Sequence, residues 1–481
     1  MTTKMLKFIN VDPAMPDKRD AKKRKADFDE IYDQFSVEAA QDQASRCSQC
    51  GVPFCQQGCP LENNIPDWLK LAAEDRLEEA YAVSAATNNM PEICGRICPQ
   101  DRLCEGVCTI EQSGHGTVTI GSIEKYITDT AWENGWVKPV KPVRERQQSA
   151  GIIGAGPGGL AAAEQLRRKG YQVTVYDRYD RGGGLLVYGI PGFKLEKDVV
   201  ERRIKRLEDS GISFHFNCNV GKDMTLAAIR KAHDTVLIAT GVYKPRDIKV
   251  PGIGSDRILD ALPYLTASNR VGFGDTLEEF NAGGMNAAGK RVVVIGGGDT
   301  AMDCVRTAIR QGAETVTCLY RRDRTNMPGS QREVKNAEEE GVVFEWLSAP
   351  EAILETAENS VRGVRARRMR LGAPDASGRQ APEKTDQTFD APADLVIKAL
   401  GFDPEDLPAL FEEPALTVNR WGAIRVDFKT METSLPGVYA AGDIVRGASL
   451  VVWAIRDGRD AAEEMHKAMK MMAGAGKVAA E

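Results

Sequence analysis

The sequence predicts an α/β protein in which two Rossmann-like dinucleotide-binding domains follow a small α-helical domain. Three observations predict this order. Eight of the eleven cysteines fall in two short runs between residues 47 and 108. Two glycine-rich loops, near residues 154 and 296, each join an apolar strand pattern to a helix pattern. Near residue 442, a short apolar run ending in Gly-Asp precedes the final helical stretch.

The two cysteine runs have the spacings C-x2-C-x4-C-x3-C and C-x3-C-x5-C-x3-C. Eight thiolates suffice for two 4Fe-4S clusters, and short runs of this kind are typical of their ligation. Zinc favours paired cysteines at both ends of a longer loop, which only Cys47 and Cys50 match. Interleaved ligation is common where two runs lie side by side, so the division between clusters stays open. The predicted metal ligands are Cys47, Cys50, Cys55, Cys59, Cys94, Cys98, Cys104 and Cys108.

Length, net charge and the lack of long apolar runs favour a multidomain protein that neither binds nucleic acid nor spans a membrane. The 481 residues predict about three domains. A net charge of −6 gives no electrostatic case for nucleic acid, and no apolar run approaches the length of a membrane helix. The chain starts without an apolar signal segment, so we expect a cytoplasmic protein without disulfides. The basic run at residues 22–25 is predicted to be a solvated helix face, and residues 66–81 an amphipathic helix.

The first glycine-rich loop carries the full dinucleotide fingerprint. An apolar strand meets Gly154-x-Gly156-x-x-Gly159, a helix follows, and a second strand ends at Asp177. The first glycine makes the tight turn, the second admits the diphosphate and the third lets helix and strand pack closely. The helix N-terminus faces the phosphates, and the acid accepts hydrogen bonds from the ribose. All four residues are therefore predicted to bind a dinucleotide.

Residues 291–322 repeat the unit. Aligning the two units places Tyr320 where the first has Asp177, with Arg321 and Arg322 directly behind. A carboxylate there would repel a 2′-phosphate, whereas guanidinium groups bind it through charge-assisted hydrogen bonds. The second site is therefore predicted to prefer NADPH over NADH. Its predicted loop contacts are Gly296, Gly298, Asp299, Thr300 and Ala301.

The end of the chain assigns the two sites, one to a bound flavin and the other to transient NADPH. In two-dinucleotide flavoproteins, a strand such as residues 437–443 returns to the first domain. Its Gly442-Asp443 end then binds the ribityl chain of FAD. The expected domains are 1–145, helical with two 4Fe-4S clusters; 146–265 with 420–481, binding FAD; and 266–419, binding NADPH.

Short motifs outside the glycine loops are more specific. Residues 47–55 read CSQCGVPFC, residues 65–68 read IPDW, and residues 183–191 read GGLLVYGIP. These motifs and the order of the modules resemble the small (beta) subunit of bacterial NADPH-dependent glutamate synthase over essentially the whole chain. The arrangement is also similar to dihydropyrimidine dehydrogenase and to the large subunit of ferredoxin–NADP transhydrogenases. Adrenodoxin reductase resembles the two nucleotide domains only.

The resemblance implies a subunit that oxidises NADPH at FAD and passes electrons through 4Fe-4S clusters. The acceptor would be an FMN-containing alpha subunit that makes L-glutamate from glutamine and 2-oxoglutarate, in a hetero-oligomer. It also implies flavin contacts at Gly184 and Leu185, and places Glu333 near the nicotinamide.

The resemblance leaves one cluster ligand open. In the pyrimidine-dehydrogenase relatives a non-cysteine side chain completes one cluster, and Glu124 lies in the corresponding region. Cys94 and Glu124 are therefore alternatives for the eighth ligand, and the softness of a thiolate favours Cys94.

No catalytic side chain is predicted, because hydride transfer between nicotinamide and flavin needs orientation rather than a protein acid or base. Cys304 has no C-x-x-C partner and is expected to be a buried structural thiol. Two other functions stay open: the flavin subunit of an NADPH–ferredoxin transhydrogenase, and an assembly subunit whose clusters are structural. Only the partner separates the transhydrogenase from glutamate synthase.

Overall fold

The computed structural model describes residues 4–376, 378 and 380–478, with side chains as far as residue 473. Its first 148 residues contain helices but no strand among those described. The α-helices are α1 Ala21–Arg24, α2 Val37–Ser45, α3 Phe54–Gln57, α4 Ile65–Ala73, α5 Leu77–Thr87, α6 Pro91–Ile97, α7 Thr109–Gln112 and α8 Ile120–Glu133, with 3-10 turns at Lys7–Ile9 and Gln100–Arg102. No helix of the described residues is long and apolar enough to cross a membrane.

The core of the helical region forms around α4, whose Trp68 and Leu69 are fully buried. The single helix predicted for residues 66–81 is divided, because Asp75 takes a left-handed backbone conformation with φ 64° between α4 and α5. The cysteine loops lie between these helices, and cysteine side chains pack against the apolar core. This arrangement matches the predicted α-helical region that precedes the nucleotide units.

The first nucleotide unit is built on a five-stranded parallel sheet with the order β15 (Val438–Ala440), β4 (Thr235–Ile238), β1 (Ser149–Ile153), β2 (Gln172–Tyr176) and β3 (Ile212–His215). Its last strand in sequence returns from the end of the chain to pair with β4, so the unit is discontinuous. The elements are β1 Ser149–Ile153, α9 Pro157–Arg168, β2 Gln172–Tyr176, α10 Leu185–Tyr188, α11 Lys197–Asp209, β3 Ile212–His215, α12 Leu226–Ala232, β4 Thr235–Ile238, β15 Val438–Ala440, α18 Asp443–Arg446 and α19 Val451–Val478.

The second nucleotide unit repeats this topology with the order β6 (Ile258–Asp260), β13 (Leu395–Lys398), β7 (Arg291–Ile295), β8 (Thr315–Tyr320) and β9 (Val343–Trp346). Strand β6 lies inside the segment predicted for the first unit but pairs with β13, so the chain changes units before residue 258. The elements are β6 Ile258–Asp260, α13 Ala261–Gly272, α14 Glu278–Asn281, β7 Arg291–Ile295, α15 Asp299–Arg310, β8 Thr315–Tyr320, α16 Gln331–Glu340, β9 Val343–Trp346 and β13 Leu395–Lys398.

Three smaller elements complete the fold. An antiparallel sheet of β10 Ser348–Glu355, β11 Val361–Pro374 and β12 Gln380–Pro392 packs on the second unit. A two-stranded ribbon pairs β5 Lys244–Pro245 with β14 Phe402–Asp403, where the chain crosses between the units. Helix α17 Leu407–Leu410 follows it. Helix α19 lies against α9, with Gly458 at the crossing, because a Cβ there would stand 2.1 Å from the carbonyl oxygen of Gly158.

The N-terminal arm ties the helical region to the second nucleotide unit. Arg24 is 2% exposed, and its Nε lies 3.0 Å from a carboxylate oxygen of Glu340 in α16. Lys18 pairs with Glu339 beside it, 2.7 Å apart. The basic run expected to be solvated therefore has its third residue buried, because the compensating acid lies far along the chain.

Candidate cofactor sites

One cavity lies where the first glycine loop, the end of β15 and the start of α19 meet. We call it the first nucleotide cavity. Predicted residues that line it are Gly154, Gly156, Asp177, Leu185, Gly442 and Asp443. Of the remaining two, Gly159 packs beneath the loop. Gly184 packs closely against the loop, since a Cβ at Gly184 would stand 3.0 Å from the Cα of Gly156.

Each glycine of the first loop has a separate physical role. Gly154 has φ 111°, and a Cβ there would stand 2.3 Å from the carbonyl oxygen of Ala239. A Cβ at Gly159 would stand 2.0 Å from the carbonyl oxygen of Gly154. A Cβ at Gly156, in contrast, would meet no atom within 4 Å. The open face at Gly156, at the N-terminus of α9, fits the diphosphate of a dinucleotide.

Two acids line the same cavity. Asp177 is 8% exposed and accepts hydrogen bonds from the backbone N–H groups of Ala155, at 2.6 Å, and Tyr179, at 2.8 Å. Burial raises its pKa, and the two backbone donors oppose that shift. Burial also raises the pKa of Asp443 to about 6. Both carboxylates carry lone pairs that hydroxyl donors of a ribose or ribityl chain could use.

The second glycine loop repeats the steric pattern. Gly296 has φ 153°, and a Cβ there would stand 2.2 Å from the carbonyl oxygen of Ala399. A Cβ at Gly298 would meet nothing within 4 Å. Ala301 is buried in α15 at the position of the third glycine. The loop therefore leaves open space at the same position as the first loop, as a second diphosphate requires.

The residues predicted to read the 2′-phosphate follow β8. Arg321 is exposed, and Arg322 is partly buried with its Nε hidden from solvent and without a hydrogen-bond partner among the described residues. A buried donor without a partner costs free energy unless a ligand satisfies it. The chemistry of Arg322 therefore fits an anionic group beside the end of β8.

Glu333 lies in a buried cluster of charges instead of open space. It accepts a hydrogen bond from Arg306 at 2.6 Å, and Lys194 of the first unit lies 3.9 Å away. Lys194 also pairs with Asp303 at 2.9 Å. Arg306 and Lys194 lower the pKa of Glu333 against the effect of burial, whereas burial raises the pKa of Asp303 to about 6. Sequence reasoning missed Lys194 and Asp303, because nothing local marks a pair that joins two units.

The eight clustered cysteines line two separate cavities. The outer cysteine cavity is lined by Cys47, Cys50, Cys55 and Cys108. The inner cysteine cavity is lined by Cys59, Cys94, Cys98 and Cys104, and also by Glu124. The last cysteine of each run therefore faces the cavity of the other run. The structure brings both alternatives for the eighth ligand to the inner cavity.

The donor chemistry of both cavities fits iron–sulfur clusters. Burial and neighbouring thiols raise the pKa of Cys55 to about 12 and of Cys59 to about 11, so only a metal would hold these groups as thiolates at neutral pH. Within the described ranges, no three His, Cys, Asp or Glu side chains converge as ligands of a single ion would. The four cysteines of a cubane each bind a different iron, so they surround a space instead of converging.

The inner cysteine cavity adjoins both the first nucleotide cavity and the outer cysteine cavity. Val451 lines the first nucleotide cavity, and the next residue, Val452, lines the inner cysteine cavity. Ile120, at the start of α8, lines both cysteine cavities. Arg456 of α19 donates to the carbonyl oxygen of Pro60 at 2.8 Å, beside Cys59. Sequence reasoning placed α19 only in the flavin unit, and no local signal marks its contact with the cysteines.

Comparison with known proteins agrees with this architecture. Residues 24–136 match the family described as dihydropyrimidine dehydrogenase domain II, 4Fe-4S cluster, and residues 149–458 match pyridine nucleotide-disulphide oxidoreductase. The glutamate synthase [NADPH] small chain of Azospirillum brasilense is 66% identical over 471 residues, which cover 98% of this chain and 97% of that one. The chain belongs to the glutamate synthase small-chain family.

Two further relatives extend the comparison. The corresponding small chain of Escherichia coli is 46% identical, with 96% of this chain and 98% of that one covered. Mycobacterium tuberculosis FprA in complex with NADPH has a TM-score of 0.58 at 20% identity, covering 69% of this chain and 86% of that one. The predicted α/β fold is thereby confirmed. The chain is an NADPH-dependent oxidoreductase of the flavoprotein class that uses FAD, NADPH and 4Fe-4S chemistry.

Proposed function

We propose that the chain oxidises NADPH at FAD and delivers the electrons, through two 4Fe-4S clusters, to the large (alpha) chain of glutamate synthase for L-glutamate synthesis. The observation that carries this proposal is the line of adjoining cavities from the first nucleotide loop to the outer cysteines. Valines 451 and 452 link the first two cavities, and Ile120 links the last two. The names of the small-chain relatives support a large-chain partner.

The first nucleotide cavity is proposed to hold FAD, because it contains Asp443 as well as the first loop. The second loop is proposed to hold NADPH, because Arg321 and Arg322 stand where an acid would exclude a 2′-phosphate. The proposed domains are 1–145 for the clusters, 146–265 with 420–481 for FAD, and 266–419 for NADPH. Strand β6, which pairs with β13, is counted with the NADPH domain. Cytoplasmic location stays a prediction.

One cluster is assigned to each cysteine cavity, with four cysteines apiece. This assignment makes Cys94 the eighth ligand and leaves Glu124 in a supporting role. Glu124 accepts a hydrogen bond from Ser84 at 3.0 Å and lies 3.5 Å from the amide nitrogen of Asn63. Its carboxyl group is thus already held by protein donors, whereas Cys94 offers a soft thiolate.

The side chains of the chain position the reaction and perform no acid–base step. Bound FAD would supply hydride-accepting chemistry, and the clusters would supply one-electron chemistry. Gly156 and Gly298 would let the two diphosphates approach their helices, and Asp443 would hold the ribityl chain of the flavin. The Lys194–Asp303 pair, 2.9 Å apart and buried between the two units, fixes their relative orientation. That orientation decides which parts of the two dinucleotides meet.

The outer cysteine cavity offers the exit for electrons. Cys50 is partly exposed, and beside it Val52 and Phe54 are 56% and 46% exposed. Apolar side chains at a solvent-facing cofactor fit the docking of a partner protein. We therefore place the acceptor subunit against this face.

The decisive experiment compares Cys50→Ser with Cys218→Ser, a cysteine outside the two cysteine cavities, in anaerobic stopped flow with the large chain present. Cys50→Ser should leave NADPH-driven flavin bleaching intact and abolish glutamate formation. Cys218→Ser should leave both intact. Glutamate formation at the wild-type rate in cluster-depleted Cys50→Ser protein would show that the clusters are structural. Co-purification of a ferredoxin-binding partner instead of the large chain would favour the transhydrogenase function.

A further inference from the structure

A segment of the helical region contacts the second nucleotide unit beside the nucleotide loop. This segment, residues 100–105, begins with the 3-10 turn and includes Cys104. Arg332 of α16 donates to its first and last side chains, at 3.2 and 3.0 Å. Arg102, in the middle, reaches Asp299 with 3.4 Å between Nη2 and Oδ2. A loop that carries a cysteine of the inner cavity is therefore attached to the NADPH unit at two positions.

The Arg102–Asp299 contact lies at the diphosphate end of the proposed NADPH site. Asp299 is the first residue of α15 and directly follows Gly298, whose face is open. The two side chains are 43% and 38% exposed, so the pair contributes little to stability, and the guanidinium keeps donors free. A bare carboxylate beside a diphosphate would repel it, and Arg102 offsets that charge.

We propose that Arg102 is a diphosphate-binding residue of the NADPH site, supplied by the iron–sulfur domain. The proposal rests on the assignment of NADPH to the second loop. In the complex, the guanidinium donates to a diphosphate oxygen while the N-terminus of α15 supplies backbone donors. Asp299 holds the arginine in place before the nucleotide arrives. Nucleotide binding thereby contacts the same segment that carries Cys104.

The test measures NADP⁺ affinity of the purified holoprotein by isothermal titration calorimetry. Arg102→Ala should weaken binding about tenfold or more, the effect of one charge-assisted hydrogen bond. Asp299 accepts a hydrogen bond from the backbone N–H of Ser330 at 2.9 Å. Asp299→Asn keeps an oxygen that can accept this bond but removes the negative charge. This variant loses the anchor for Arg102 but also the charge that repels a diphosphate, so its affinity for NADP⁺ should fall much less than that of Arg102→Ala. Arg76→Ala, at an equally exposed arginine paired with Glu79 in the same domain, is the matched control and should bind as wild type.

A purely structural ion pair predicts a different pattern. Both Arg102→Ala and Asp299→Asn break the same contact, so equal weakening in the two would overturn the proposal. Normal affinity in Arg102→Ala, with weakened affinity in Arg322→Ala, would also overturn it but leave NADPH on the second loop. Normal affinity in both would instead refute that placement.

Visible absorbance will show whether Arg102→Ala has lost its clusters. If it has, two milder substitutions at the same position can still test the proposal. Arg102→Lys keeps the positive charge without the planar fork and should retain part of the affinity. Arg102→Gln should retain less. Equal NADP⁺ affinity in these two variants, with intact clusters, would contradict a role in diphosphate binding.

Discussion

One added methyl group should distinguish glycines that face a ligand from glycines that hold the fold. A Cβ at Gly156 or Gly298 meets no atom within 4 Å, and their backbones are extended, with φ −79° and −93°. Gly156→Ala and Gly298→Ala should therefore fold, with stability raised by about 0.4–1 kcal/mol through the unfolded state. Gly159→Ala should lose about 1–3 kcal/mol or more, because its Cβ would stand 2.0 Å from a backbone oxygen.

The same methyl groups occupy the space that we assign to the two diphosphates. Overpacking costs about 1–3 kcal/mol, which corresponds to about 5- to 150-fold in Kd. Gly156→Ala should lose flavin during purification yet bind NADP⁺ normally. Gly298→Ala should keep its flavin and bind NADP⁺ more weakly. The measurements are the flavin-to-protein ratio, NADP⁺ titration calorimetry and thermal unfolding.

Two outcomes would contradict the assignment of one diphosphate to each glycine loop. Full flavin content in Gly156→Ala, together with wild-type NADP⁺ affinity in Gly298→Ala, would show that neither loop approaches a diphosphate. If Gly156→Ala weakened NADP⁺ binding and Gly298→Ala lost flavin, the two cofactor assignments would have to be exchanged.

Three further predictions test other parts of the site. Arg322→Ala should weaken NADPH binding by about 1.5–3 kcal/mol while NADH is unaffected; equal Kd changes for both would contradict 2′-phosphate recognition. The pKa of Asp443 in the folded protein, about 6, lies above its ordinary value of 3.8, so the folded state takes up a proton at a higher pH than the unfolded chain does. The flavin-free protein should therefore gain stability as the pH falls from about 6 towards 4. Asp443→Asn should remove that gain in thermal melts at pH 7 and 5. Phe54→Asp should weaken large-chain binding in sedimentation, whereas Phe428→Asp, at an exposed aromatic far along the chain, should not.

The features that could be predicted from the sequence are those that depend on residues close to one another in the chain. The glycine loops follow from local sterics, since Gly154 and Gly159 meet backbone atoms of their own unit. Cys304 is fully buried, as predicted from its lack of a C-x-x-C partner. The fold class could also be predicted, because each strand–loop–helix repeat is a contiguous segment of the chain.

The features that escaped prediction depend on contacts between distant segments. The spacing of a cysteine run does not show that Cys59 and Cys108 face the cavity of the other run. Burial of Arg24 depends on Glu340, 316 residues away. Helix α19 extends over Val451–Val478, and its second half buries Met465 and Met469. In each case the decisive partner is supplied by another part of the chain.

The wide separation between partners also affects biosynthesis. At about 5–20 residues per second, roughly half a minute separates emergence of Arg24 from that of its acid partner on the ribosome. The first sheet lacks β15, and the inner cysteine cavity lacks Val452, until nearly the whole chain has been made. The nascent protein therefore displays the four thiols of the inner cavity before their enclosure is complete. Those thiols must escape oxidation during that interval if they are to bind a cluster afterwards.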